Sequence, residues 1–75
     1  MRRQPTNEEL KWLDNHFDLK IQLNPSNYKK GIVDIYDLSK LKENHPFYGN
    51  QVIVFDDGSI EDCSISPIEY FQIDL

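Results

Sequence analysis

Hydrophobic and polar positions change their period several times along the chain, and each change marks an element. Thr6-Asn7-Glu8-Glu9 opens the first. A threonine with a glutamate three residues later forms a capping box. Its hydroxyl accepts from a free N–H of the first turn, and the carboxylate reaches back to the threonine N–H. Glu8 and Glu9 also suit the positive end of a helix dipole. Leu10, Leu13 and Phe17 recur at i, i+3 and i+7 with Trp12 beside them, which predicts a helix from about Asn7 to Asn15. A helix this short needs packing to persist. Met1 to Pro5 is expected to be a frayed tail.

From Phe17 to Leu23 the period falls to two, predicting a half-buried strand with Phe17, Leu19, Ile21 and Leu23 inward. Asn24-Pro25-Ser26-Asn27 breaks it, and a second strand from about Lys30 to Tyr36 returns antiparallel to it. Asp37 is placed to cap one helical turn, Leu38 to Lys42, which Pro46 must end. Asn44 to Asn50 is a loop with large side chains. Val52-Ile53-Val54-Phe55 lacks polar alternation, so both its faces should be covered and it belongs in the middle of a sheet. Asp57-Gly58 then predicts a tight primed hairpin turn, with Ile60 to Ile65 as the return strand. Ser66 as N-cap, Pro67 at the first helical position and Glu69 two residues on start a closing helix, with Ile68, Phe71 and Leu75 toward the sheet. The predicted fold is α+β: a small, mostly antiparallel sheet of four to five strands with an N-terminal helix and a short C-terminal helix, in a single domain over 1–75.

A chain of 75 residues, 39% hydrophobic and 12% aromatic, has enough apolar material for one core but little room for a deep pocket. A partner or a second copy would help so small a core. The lone Cys63 rules out an internal disulfide framework and fits a reducing compartment. No apolar run is long enough for a membrane span, and none follows Arg2-Arg3 as a signal peptide would require. The expected location is the cytoplasm of a bacterium or of a phage-infected cell.

Charge alters the picture more. The formal net charge is −5, and residues 31–75 carry only Lys40 and Lys42 against nine acidic side chains. Such a half repels nucleic acid and attracts basic surfaces. Arg2, Arg3, Lys29 and Lys30 are too sparse for direct nucleic-acid binding.

Candidate chemistry is thin. His16 and His45 lie 29 positions apart without zinc-ligand spacing, and Cys63 with His45 has no nucleophile signature. No catalytic residue, metal or cofactor is expected. Asp56, Asp57, Glu61 and Asp62 place four carboxylates around one hairpin. A bound cation is one reading, solubility another, and a negative surface for a basic partner the preferred one. Tyr36, Phe47, Tyr48 and Phe55, with Asp56 or Asp57, could form an aromatic cage for a cationic side chain; alternatively Phe47 and Tyr48 plug the end of the sheet and cover the core.

Three stretches carry a family resemblance. They are Phe17 to Leu23 with Gly31 to Tyr36 closed by Asp37-Leu38-Ser39-Lys40-Leu41, then Val52 to Ile60, then Ile65-Ser66-Pro67-Ile68-Glu69-Tyr70-Phe71. Together they resemble a small bacterial family of domains of unknown function, found in toxin–antitoxin-like pairs or fused to a helix-turn-helix. The N-terminal helix is extra to that pattern, and Asp62-Cys63-Ser64 replaces its tryptophan-proline-asparagine-glycine stretch. The layout is also similar to SH3-like barrels. The resemblance implies an α+β fold and a regulatory setting, and it supplies no catalytic residues. The expected function is a non-catalytic protein-binding domain, an antitoxin-like or phage-type inhibitor. It would offer Asp56, Asp57, Glu61, Asp62, Phe47, Tyr48 and Tyr36 to a basic partner such as a nucleic-acid-handling enzyme or toxin. The alternatives are an SH3- or Tudor-like peptide-binding module and a structural homodimer.

Overall fold

The computed structural model describes residues 2–21, 31–41 and 44–64. Their order is α1 (Asn7–Asn15), a 3-10 turn (Phe17–Leu19), then β1 (Ile32–Asp37), β2 (Gln51–Phe55) and β3 (Ile60–Cys63). The strands form an antiparallel sheet in the order β1-β2-β3.

The capping box forms as its spacing requires. The Glu9 N–H donates to the Thr6 hydroxyl (3.1 Å) and the Thr6 N–H donates to the Glu9 carboxylate (2.8 Å). The buried stripe of α1 is rotated from the predicted one. Glu9, Trp12, Leu13 and His16 turn toward the sheet, while Leu10 and Phe17 are exposed. The reason is tertiary, since Glu9 is drawn inward by Arg3.

The predicted strand over Phe17 to Leu23 is corrected. After α1 the chain closes a 3-10 turn, with the Leu19 N–H donating to His16 O and the Lys20 N–H to Phe17 O. Among the described residues of that stretch only Lys20 bridges to β1, opposite Tyr36, and the Ile21 N–H donates to Ile35 O (2.8 Å). The end of that predicted strand, Gln22 and Leu23, lies outside the described residues, as do the turn after it and the closing helix from Ser66 with Ile68, Phe71 and Leu75. In place of four to five strands, the described residues form three, with single bridges at both edges.

One of those bridges overturns the frayed tail. Arg3 and Ile60 exchange both backbone hydrogen bonds at 2.8 Å, so the segment before α1 lies along the outer edge of β3. Nothing in the local pattern of residues 1–5 shows this, because the partner strand is far along the chain.

β2 is central, as its unbroken apolar run implies, and it divides the core in two. Ile35, Ile53, Phe55 and Cys63 pack with Ile32 on one face, with Ile21 against them. Tyr36, Val52 and Ile60 lie on the other, packed with Leu13 of α1, Leu38 and Phe47, while Trp12, Leu19 and Leu41 close its margin. A bulge at Val33 lets Ile32 pair with Phe55 while Asp34 pairs with Val54. The β2–β3 turn is wider than the predicted primed turn. The Gly58 N–H donates to Phe55 O, and Gly58 follows with φ +88°, where a side chain would be strained.

Candidate protein-binding surface

Two features of the surface stand at opposite ends of β2: the acidic hairpin tip after Phe55 and the Tyr48 loop before Gln51. Five residues of strand separate them by about 17 Å.

The tip is exposed at Asp56 and Asp57, yet its backbone is fixed. The Asp56 N–H donates to Gly31 O (2.7 Å), and the Phe55 N–H donates to Ser59 O (2.9 Å). The Asp57 carboxylate accepts from the Ser59 N–H (2.9 Å) and hydroxyl (2.5 Å) and meets the Arg2 guanidinium at 3.1 Å. The Ser59 hydroxyl bond, the Ser59 N–H and Arg2 hold the Asp57 carboxyl below its ordinary range. Arg2 also lies over the Phe55 ring, 3.8 Å from its centroid. Its ion pair is solvent-exposed, of a kind that contributes little and can exchange partners.

The other two hairpin acids are not part of that tip. Strand alternation sends Glu61 and Asp62 to opposite faces of β3. Asp62 accepts from Arg3 at 3.1 Å and lies beneath the Tyr48 loop, taking the Tyr48 N–H at 3.4 Å. Arg3 joins it to Glu9, and this three-residue ion network ties β3 to the start of α1. The Arg3 hydrogen bonds are the main reason the Glu9 carboxyl falls to about 2.

The Tyr48 loop is sewn to β3. Asn50 N–H donates to Cys63 O (2.8 Å), and its side-chain amide donates to Ser64 O (3.3 Å). Gly49 sits so close that a Cβ there would fall 2.1 Å from Cys63 O, so the position admits only glycine without a shift. Phe47 is buried beside Trp12, at 5.5 Å edge-to-face. Between these anchors the Tyr48 side chain is 97% exposed. One side of it faces a depression of about 340 Å³ with His45, Phe47, Gly49 and Asn50. The other faces one of about 400 Å³ with Arg3, Thr6, Glu8, Glu9 and Pro46.

The predicted aromatic cage is not assembled. Tyr36 and Phe47 are buried in the α1-side core, Phe55 lies on the opposite face, and only Tyr48 is free to contact a partner. Burial, with Asp34 nearby, pushes the Tyr36 phenol above its ordinary value. Cys63 and His45 are not brought together either. The thiol is buried across the strand pair from Gln51 and raised by that burial, with Glu61 adding to it. His45 instead accepts the Phe47 N–H (3.3 Å) and meets Trp12 edge-on. Among the described residues no group of three or more His, Cys, Asp or Glu could hold a metal ion, and no helix is long and apolar enough to cross a membrane.

Sequence reasoning missed Arg3, Glu8, Glu9 and Pro46 as neighbours of Tyr48. The capping box located the two glutamates on the first turn, but their approach to the 44–50 loop is tertiary. No protein-family model, curated protein or solved structure matches the chain.

Proposed function

We propose that the protein is a non-catalytic binding domain that presents its acidic hairpin tip to a basic surface of a partner, as an antitoxin-like or phage-type inhibitor would. It would occupy ground that nucleic acid phosphates otherwise take. The observation that carries this reading is the fixed tip, where Asp56 and Asp57 are exposed on a turn held by the Asp56 N–H donating to Gly31 O and by Ser59 donating to the Asp57 carboxylate. The Asp57 carboxylate, already ordered by Ser59 in the free protein, loses little entropy on binding, and Asp56 rides on the same fixed backbone. The Arg2 pair can open, leaving Asp57 to a partner cation at small cost. The excess of acidic residues in 31–75 supplies long-range attraction and repels nucleic acid itself. The toxin–antitoxin setting implied by the resemblance names the class of partner, a nucleic-acid-handling enzyme or toxin.

A peptide-binding module is supported by Tyr48 alone. A homodimer through an open edge strand has less support, because Arg3 and Lys20 bridge the two outer edges.

The test is capture from host lysate on the immobilised chain, eluted with salt and then with duplex DNA, alongside Asp56→Lys. A basic protein held by the wild type, released by either eluent and lost with Asp56→Lys is the expected result. Capture that ignores salt, DNA and the charge reversal would sink the reading.

A further inference from the structure

We infer that the depression between Tyr48 and the first turn of α1 seats an arginine side chain of the partner, its guanidinium lying on the Tyr48 ring and paired with Glu8. This rests on the reading of the domain as a binder of basic partners and adds a second contact point to the hairpin tip.

Three observations support it. Tyr48 offers an open aromatic face on a backbone that cannot move far, because Gly49, Asn50 and Asp62 fix it to β3. Rigid exposed tyrosines contribute large contact area with little ordering on binding. Secondly, the charge of the depression is wrong for an anion. Among the described residues Arg3 is the one cation lining it, and Glu9 and Asp62 already hold its guanidinium. Adding Glu8, the four groups carry one positive and three negative charges, a balance of −2. Glu8 and Glu9 also cover the positive end of the helix, which removes the usual attraction of a helix start for phosphate.

Thirdly, the lining matches a planar cation better than a point charge. Tyr48 and Pro46 supply flat apolar surface, and exposed Glu8 supplies a carboxylate for a forked donor. A guanidinium stacks on an aromatic face and bonds a carboxylate at two points, whereas an ammonium does neither as well. The volume of about 400 Å³ holds one such side chain with its aliphatic stem.

The experiment is a titration of the full isotope-labelled chain with a hexa-arginine peptide and separately with hexa-lysine, followed by amide chemical shifts. The expected shifts fall at Thr6, Glu8, Tyr48 and Gly49 as well as at Asp56 and Asp57, and hexa-arginine binds more tightly than hexa-lysine. Tyr48→Ala and Glu8→Gln, both at exposed positions, each lower hexa-arginine affinity roughly threefold to thirtyfold, while Tyr48→Phe retains it. Shifts confined to Asp56 and Asp57, or a Tyr48→Ala chain that binds as the wild type does, would overturn the arginine seat and leave the acidic tip standing. No shift with either peptide would overturn both.

Discussion

The Arg3 guanidinium holds the Glu9 carboxylate with both terminal nitrogens, at 2.7 and 2.5 Å, across a sequence separation of 6 residues. Glu9 simultaneously completes the capping box of α1, whose N-cap is Thr6, and is only 4% exposed. Because the second of those nitrogens also reaches Asp62, one side chain couples the start of the helix to β3 and sets the floor beneath Tyr48. Removing it leaves two largely buried carboxylates without their cation. Arg3→Met is expected to lower unfolding stability by about 1.5–3 kcal/mol, the range for a hydrogen bond to a charged group. Urea unfolding of Arg3→Met, Glu9→Gln and the double variant checks it, and strictly additive effects would contradict a direct coupling.

The same pair makes stability depend on acid. Glu9 is lowered from 4.5 to about 2 in the folded protein, so the folded form holds the ionised carboxylate longer than the unfolded chain does. The stabilisation is complete above about pH 4.5 and is lost as pH falls toward about 2. Unfolding followed between neutral pH and that acid limit should show the loss in the wild type. Glu9→Gln, which can still complete a capping box, should be less stable at neutral pH and flatter in acid. A parallel slope for the two proteins would contradict the assignment.

Gly49 is required by close approach, not by backbone freedom. A methyl group there meets the Cys63 backbone, and relief of the clash pulls the loop off β3. Gly49→Ala should cost about 1–3 kcal/mol, as other overpacking substitutions do. Thermal unfolding reads it, and Gly58→Ala at the hairpin tip gives a contrast. There nothing lies near the added carbon, and only the positive φ opposes the change.

Gln51 is the one fully buried amide of β2, and among the described residues its side-chain polar atoms have no hydrogen-bond partner beyond a weak contact with the Cys63 thiol. Its cross-strand neighbour Cys63 offers only a weak thiol. An unpaired buried amide is a stability deficit of about 1–3 kcal/mol. Gln51→Met keeps the unbranched shape and removes the polar atoms, so its unfolding midpoint is expected to rise. A fall would show that the amide is satisfied in solution.

Much of this arrangement was legible where local chemistry decides it. Thr6 and Glu9 fixed the start of α1, and the apolar run Val52 to Phe55 placed β2 in the centre with both faces covered. The alternation from Phe17 onward misled, because Phe17-Asp18-Leu19 is too short for a period of two to be told from the three-residue period of a 3-10 turn. His16 ends α1 with its N–H on Trp12 O and its ring stacked on Trp12 at 3.9 Å, and Phe17 is turned out to solvent. The role of Arg2 and Arg3 was hidden for another reason. Their carboxylate partners Asp57 and Asp62 lie 55 and 59 residues away, and no periodicity spans such a distance. The hairpin acids therefore read as one cluster, whereas folding divides them between an exposed tip, two faces of β3 and an internal ion network.

The most direct test of the acidic tip is the salt dependence of hexa-arginine affinity, measured by calorimetry for the wild type and Asp56→Lys. Screening acts on exposed charges, so wild-type affinity should fall steeply as salt rises, and Asp56→Lys should bind weakly with a shallower dependence. Equal affinity and equal salt dependence for the two proteins would show that the tip carboxylates take no part in binding a basic partner.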